Sequence, residues 1–146
     1  MNFLESLKHC IDNSYANFKS RASRSEFWYF TLFILIYMLI GLLILRLIIV
    51  DWAKIEDPIW SQASLTLGWI VLIAPVLVPS ISVTVRRLHD INLSGWLLCI
   101  YLPFMYLDKF FETEYIFYLV FTIILYSICL LKGTNGKNKF GNKPKK

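Results

Sequence analysis

The chain has 146 residues, of which 57% are hydrophobic and 17% are charged, and its formal net charge is +5. Soluble domains usually contain about 45–50% apolar and about 25% charged residues. This composition therefore excludes a disordered chain, a disulfide scaffold and most soluble enzymes. It favours a small membrane protein with several spans, since one membrane helix takes about 20 apolar residues.

The N-terminal segment has the spacing of an amphipathic helix. Apolar residues recur there at steps of three and four, and interspersed charges argue against a secretory signal. We expect a helix over 1–22 that either lies in the membrane interface or packs on the loops of its own bundle. Its apolar face consists of Leu4, Leu7, Ile11, Tyr15 and Phe18.

Four apolar runs follow, and each predicts a membrane span. Ser23 and Glu26 have the spacing of a helix-capping box directly before the first run. Pro75 and Pro79 interrupt the second run, where they predict either a kink that frames a cavity or hinge, or helix shape alone. The third run is the weakest, because its core is short enough to be re-entrant. The spans are predicted at about 27–50, 65–85, 93–107 and 115–131.

Basic residues are divided unevenly between the two sides of these spans. With four spans, twelve lysines and arginines fall on the side of both termini and three fall on the other. Because basic residues concentrate in the cytoplasm, both termini are predicted to be cytoplasmic. Residues 132–146 are rich in glycine, asparagine and lysine, so we expect a flexible basic tail. The predicted fold is all-α, an integral membrane four-helix bundle with an N-terminal amphipathic interfacial helix.

The usual catalytic and metal-binding motifs are absent from the sequence. We therefore assign no catalytic residue, no metal site and no cofactor. Cys10, Cys99 and Cys129 form no CxxC motif, and we interpret them as packing residues. Phe140 is the one aromatic residue in the basic tail, so nucleic-acid binding is not expected.

The densest polar cluster follows the second run, at 86–90. Guanidinium groups match the geometry of phosphate, so a lipid headgroup is a reasonable ligand for Arg86 and Arg87. The alternative is a topological anchor whose arginines form internal ion pairs with Glu26 or Asp90.

Three blocks of the chain resemble the domain of unknown function 805 family, small multi-pass proteins of the bacterial inner membrane. The blocks are RASRSEFW at 21–28, RRLHD with SGW at 86–96, and KGTNGKNKFGNKP at 132–144. The resemblance covers nearly the whole chain and implies a location and a fold, but no reaction. It also implies one polar cluster on the cytoplasmic side, with either a structural or a ligand-binding role. The residues of that cluster are Arg24, Glu26, Arg86, Arg87, His89 and Asp90.

These observations predict a non-enzymatic membrane component that contacts lipids or a protein partner through its cytoplasmic face. Anionic headgroups are candidate ligands, and association with a second copy of the chain stays open. One alternative is a small transporter or channel subunit, which would need polar residues within the spans. The other is a membrane enzyme that uses the cytoplasmic histidine, aspartate and arginine cluster.

Overall fold

A computed structural model describes residues 2–48, 57–100 and 116–144. The elements of these ranges are helices, which confirms the prediction of an all-α fold for the described part of the chain. In chain order they are α1 (Phe3–Lys8), a π-helical turn (His9–Asn13), α2 (Arg24–Arg46), α3 (Pro58–Asp90), a 3-10 helix (Gly95–Ile100) and α4 (Ile116–Leu130).

Helices α2 and α3 are each long and apolar enough to cross a membrane. They lie side by side, with Gly41 against Leu72 and Gly68 against Leu45. Within the described protein, 6% of the apolar stretch of α2 and 22% of that of α3 are buried. The core helix of a soluble protein is mostly buried, so the exposed apolar surface here favours contact with lipid.

Both long helices begin at residues that cap them. The Ser23 hydroxyl accepts a hydrogen bond from the Glu26 amide at 3.2 Å, which confirms the predicted cap of α2. The Asp57 carboxylate accepts from the amides of Ile59 and Trp60 and caps α3. Helix α3 therefore starts before the predicted second span and ends beyond it.

Helix α3 runs through both of its prolines. Pro79 has no amide hydrogen, so the Pro75 carbonyl lacks its usual partner within the helix. The Tyr15 hydroxyl donates to that carbonyl at 3.0 Å and so replaces the missing bond. The N-terminal segment thereby stabilises α3 at the point where the prolines weaken it.

The N-terminal helix is shorter than the predicted 1–22, because regular helix ends at Asn13. The residues beyond it contact α3. The buried Ser82 hydroxyl shares its single hydrogen between the Ser14 and Asn17 carbonyls, at 3.0 and 2.8 Å. The segment packs on the bundle through its buried residues Ser6 and Cys10. Its predicted apolar face is instead largely exposed, notably at Leu4, Ile11, Tyr15 and Phe18.

The hydrophobic core of the described protein lies where α2 begins. Its buried members come from four segments that are distant in sequence. Just beyond this core, at the same end of the helices, lie the charged residues of the candidate site. The core residues are Cys10, Ala22, Phe27, Phe30, Val83 and Cys129.

Residues 101–107 of the predicted third span, 93–107, lie outside the described residues. The described part, 93–100, contains the 3-10 helix Gly95–Ile100. Residues 49–56 and 108–115 also lie outside the described ranges.

Replacing Ser82 by alanine is expected to lower the free energy of unfolding by about 1–3 kcal/mol, because the Ser14 and Asn17 carbonyls lose the buried donor that they share. Thermal unfolding of the purified protein in detergent measures the loss. Ser80→Ala is the matched control, since the Ser80 hydroxyl donates within its own helix, to the Val76 carbonyl. Equal losses in both variants would contradict the anchoring role of Ser82.

Candidate functional site

The Asp90 carboxylate, at the last residue of α3, lies between two arginines. Arg21 donates to Oδ1 from Nε at 3.0 Å and from Nη2 at 2.8 Å, and Arg87 donates to Oδ2. The side chains of both arginines are 0% exposed, and that of Asp90 is 7% exposed. Because buried charges are costly unless they are paired, the three side chains depend on one another.

A second buried ion pair joins Glu26, in the first turn of α2, to Arg86 of α3. The Oε1 atom of Glu26 accepts from Nη1 of Arg86 and lies 3.1 Å from Nδ1 of His9. Both members of the pair are buried. Within the described residues, Nε of Arg86 is buried without a hydrogen-bond partner. Removing the Glu26 side chain would therefore leave the buried positive charge of Arg86 without a carboxylate to pair with.

The Cys10 thiol lies beside the ion pair of Glu26 and Arg86. Its Sγ lies 3.6 Å from Oε1 of Glu26 and 3.7 Å from Nη2 of Arg86. Burial raises the pKa of the Cys10 thiol to about 12, and the negative charge of Glu26 acts in the same direction. The thiol is consequently neutral at physiological pH and unsuited to act as a nucleophile.

Arg87 also ties together the ends of three helices. Its Nε donates to the Cys129 carbonyl at 2.9 Å and its Nη2 donates to the Leu131 carbonyl, both at the end of α4. Its Nη1 lies 3.5 Å from the Ala22 carbonyl, just before α2. The start of α2 and the ends of α3 and α4 therefore meet at one end of the molecule.

Residues 132–144 of the C-terminal tail fold back onto the end of α3, at odds with the prediction of a flexible tail for this part of 132–146. The backbone amide of Thr134 and its hydroxyl donate to the Asp90 carbonyl at 2.8 and 3.0 Å. The Asn138 side chain donates to the His89 carbonyl at 2.9 Å. The last carbonyls of a helix have no partner within it, and the polar tail residues supply those partners.

Arg21 and His89 hold the tail from its other side. The Arg21 guanidinium donates to the carbonyls of Thr134 and Gly136, each at 2.7 Å. The rings of His89 and Phe140 stack with centroids 3.8 Å apart and planes at 5°. The glycine- and lysine-rich composition of the tail conceals these contacts, because they are made mainly by its backbone.

Five of the six predicted site residues share this end of the bundle, and all five are buried. Arg24 differs, since it is exposed and takes part in none of the ion pairs found within the described residues. The proposal that a lipid headgroup binds Arg86 and Arg87 is wrong for direct contact, because both are 0% exposed. Arg86 instead pairs with Glu26 and Arg87 pairs with Asp90, as the alternative of internal ion pairs predicted. The five residues, together called the buried cluster, are Glu26, Arg86, Arg87, His89 and Asp90.

Sequence reasoning missed several partners of the buried cluster. Arg21 belongs to the block that carries the family resemblance, which was the one available signal for it. Thr134 and Asn138 likewise lie in a block of that resemblance, whereas nothing in the local sequence marks His9 and Cys10, because their contacts join segments far apart in the chain. The missed residues are Arg21, His9, Cys10, Thr134 and Asn138.

A groove of about 570 Å³ lies outside the buried cluster, between the start of α2 and the tail. Its basic residues are Arg24, Lys132 and Lys143, and Ser25 and Asn135 also line it. We call it the basic groove. Unlike the buried cluster, it places exposed cations at the surface of the protein.

In the residues that the structure describes, the fold and the site define a small helical protein with two helices suited to crossing a membrane and a buried cluster of ion pairs at their shared end. The chain belongs to the family described as protein of unknown function (DUF805), whose model matches residues 15–142. Inner membrane protein YhaI of Escherichia coli K12 is 32% identical over 135 residues, covering 90% of this chain and 89% of the relative. The protein of the same name from Escherichia coli O157:H7 matches equally. No solved structure matches the chain significantly.

Replacing Gly133 by alanine is expected to lower the free energy of unfolding by about 1–3 kcal/mol, since the added methyl would collide with the Asp90 carboxylate. Thermal unfolding measures the change. Gly136→Ala is a comparison variant with a different cause of strain. A side chain at Gly136 would meet no neighbouring atoms, but the backbone φ of +81° disfavours any residue other than glycine. Undiminished stability of Gly133→Ala would show that the tail does not sit against Asp90.

Proposed function

We propose that this protein is a non-enzymatic, multi-pass component of the bacterial inner membrane that contacts lipids or a protein partner through its cytoplasmic face. The observation that carries the proposal is the meeting of three helix ends at the buried cluster. Such a cluster fixes the arrangement of the helices and leaves the surrounding surface for contacts. The family membership and the name of the Escherichia coli relative support the inner membrane as its location.

The positions of the helix ends favour four crossings of the membrane by the chain. Helices α3 and α4 both end at the buried cluster, so the chain must return to the opposite side between 91 and 115. The 15 residues of α4 give a helix of about 22 Å at 1.5 Å per residue, shorter than the hydrocarbon core of about 30 Å, so the proposed crossing also includes residues that flank α4. The segment predicted to span at 93–107 would make the return crossing. Both termini then lie on one side, which the distribution of basic residues assigns to the cytoplasm.

The N-terminal segment supports placement of this end at the membrane surface. Its buried side, at Ser6 and Cys10, faces the bundle, and Leu4, Ile11 and Phe18 point outward. An outward apolar face beside two membrane helices suits the boundary between headgroups and acyl chains. The two roles weighed for this segment, packing on the bundle and lying in the interface, are thus compatible within 2–22.

The transporter alternative finds little support in the polar residues of the apolar helices. The hydroxyls of Thr31, Ser80, Thr84, Thr122 and Ser127 each donate to a carbonyl four residues earlier in the same helix. Hydroxyls bonded in this way satisfy their own backbone and offer their donors to no solute.

The enzyme alternative is disfavoured by the geometry around Asp90 and His89. Both oxygens of the Asp90 carboxylate accept from buried arginines, and the His89 ring is stacked on Phe140. A general acid or base must reach the substrate proton. A His89→Ala variant that complements a deletion phenotype in full would dispose of a catalytic role.

Reporter fusions to the full chain test the proposed topology. A phosphatase that is active only outside the cytoplasm should be inactive after residue 146 and active when inserted at 51–56 or 108–114. A fluorescent protein that matures in the cytoplasm should give the opposite pattern. An active phosphatase at the C-terminus would overturn the four-crossing arrangement.

A further inference from the structure

We infer that the basic groove binds the phosphate of an acidic phospholipid headgroup on the cytoplasmic leaflet. The inference deepens the proposed function and rests on it, because it names the lipid chemistry that the cytoplasmic face would recognise. Arg24 from the first turn of α2 and Lys132 and Lys143 from the folded tail line one groove of about 570 Å³. The groove exists because the buried cluster draws the tail against the start of α2.

The charges of the basic groove are available to a ligand. None of the ion pairs found within the described residues includes Arg24, Lys132 or Lys143. Lys143 Nζ makes one weak hydrogen bond, to the Asn135 side chain at 3.4 Å. Among the described residues that line the groove, Asp90 carries the one carboxylate, and two buried arginines already neutralise it. The groove therefore carries net positive charge.

The position of the basic groove relative to the membrane favours a lipid over a soluble anion as its ligand. Arg24 lies three residues before the apolar run that starts at 27, and Lys132 follows the end of α4 by two residues. At 1.5 Å per helical residue, both positions fall within about one turn of the hydrocarbon boundary. Lipid phosphates lie at this level, where basic residues attract anionic headgroups.

The residue types of the groove suit a phosphodiester. A guanidinium group donates two parallel hydrogen bonds to phosphate oxygens, and lysines add compact positive charges. The side chains of Ser25 and Asn135 provide further donors at the rim. An acidic headgroup should consequently bind more tightly than a zwitterionic one, and salt should weaken the binding.

Native mass spectrometry of the full-length, detergent-purified protein tests the inference. The protein is titrated with phosphatidylglycerol and with phosphatidylcholine, and the groove variant carries Arg24→Gln, Lys132→Gln and Lys143→Gln. The matched control carries Lys8→Gln, Lys19→Gln and Lys137→Gln, which remove the same charge from the same end of the protein but outside the groove. We expect the groove variant to lose about tenfold or more in affinity for phosphatidylglycerol and the control to lose less than about twofold.

Three outcomes would overturn the inference. Equal losses in the two variants would mean general electrostatic attraction, and no loss in the groove variant would mean that the groove binds no headgroup. Competition by inorganic phosphate that depends on the groove residues would assign the groove to a soluble anion. Thermal unfolding checks that both variants fold, and exposed residues are substituted so that the buried cluster stays intact. The reporter fusions are independent of lipid binding, so failure of the topology and failure of the groove are distinguishable.

Discussion

Replacing Asp90 by alanine is expected to lower the free energy of unfolding by about 3–5 kcal/mol. The substitution leaves Arg21 and Arg87 as buried cations without their carboxylate, and both side chains are 0% exposed. Most domains are stable by about 5–15 kcal/mol, so such a loss removes a large part of the total. A fall in the midpoint of thermal unfolding in detergent, together with a fall in the amount of protein in membranes, measures it.

Asp12→Ala is the matched control for the Asp90 substitution. It removes a carboxylate from the same end of the molecule, but Asp12 is exposed. Exposed charges contribute at most about 1 kcal/mol, so this variant should unfold near the wild-type temperature. Asp90→Asn should fall between wild type and alanine, because an amide oxygen still accepts from one arginine. Comparable behaviour of Asp90→Ala and Asp12→Ala would show that the buried pairs contribute little.

Replacing Glu26 by alanine is the second large effect, again with an expected loss of about 3–5 kcal/mol. Arg86 then loses its carboxylate while its side chain stays 0% exposed and its Nε already lacks a partner within the described residues. The cap of α2 is unaffected, because it uses the backbone amide of residue 26 and not the side chain. The loss therefore reports the ion pair separately from helix capping.

The Glu26 substitution also predicts a chemical change at Cys10. Burial raises the pKa of this thiol most, the negative charge of Glu26 raises it further, and the positive charge of Arg86 lowers it. Without Glu26 the pKa should fall, so more thiolate is present at a given pH and alkylation is faster. Peptide mapping after brief iodoacetamide treatment measures the labelling of Cys10 itself. Protection of Cys10 that is identical in Glu26→Ala and in wild type would contradict this arrangement.

The sequence allowed parts of the fold to be predicted where the signal is local. The cap at Ser23 and the apolar runs that form α2 and α3 are patterns of neighbouring residues. The structure contains the cap and both helices. The extra length of α3 could not be read from hydropathy. Its first turns are held by the exposed Asp57 cap, and its last turn by the charged residues of the buried cluster.

The candidate site was predictable in its members but not in its pairings. The five buried residues were named together, yet Arg86 pairs with Glu26 while Arg87 pairs with Asp90. Spacing alone allowed Arg86 to pair with Asp90. Arg21 forms its ion pair across 69 residues of sequence, and no local pattern specifies such a contact. Burial was also invisible to the sequence, and it is burial that separates the internal arginines from the exposed Arg24.

The folded tail shows why composition was a poor guide to residues 132–144. Glycine, asparagine and lysine are typical of flexible segments, but here backbone groups and small polar side chains satisfy the end of α3. Gly133 is required because its backbone passes so close to the Asp90 carboxylate that a side chain does not fit. The tail is thus part of the helix-end assembly.

A double-mutant cycle on Arg21 and Asp90 tests most directly whether the buried charges clamp the N-terminal segment to the end of α3. The variants Arg21→Gln, Asp90→Asn and their combination are compared with wild type by unfolding in detergent. A direct, buried pair predicts a coupling free energy of more than about 1 kcal/mol, because the second substitution removes a charge that the first has left unpaired. Losses that add within about 0.3–0.5 kcal/mol would contradict the clamp.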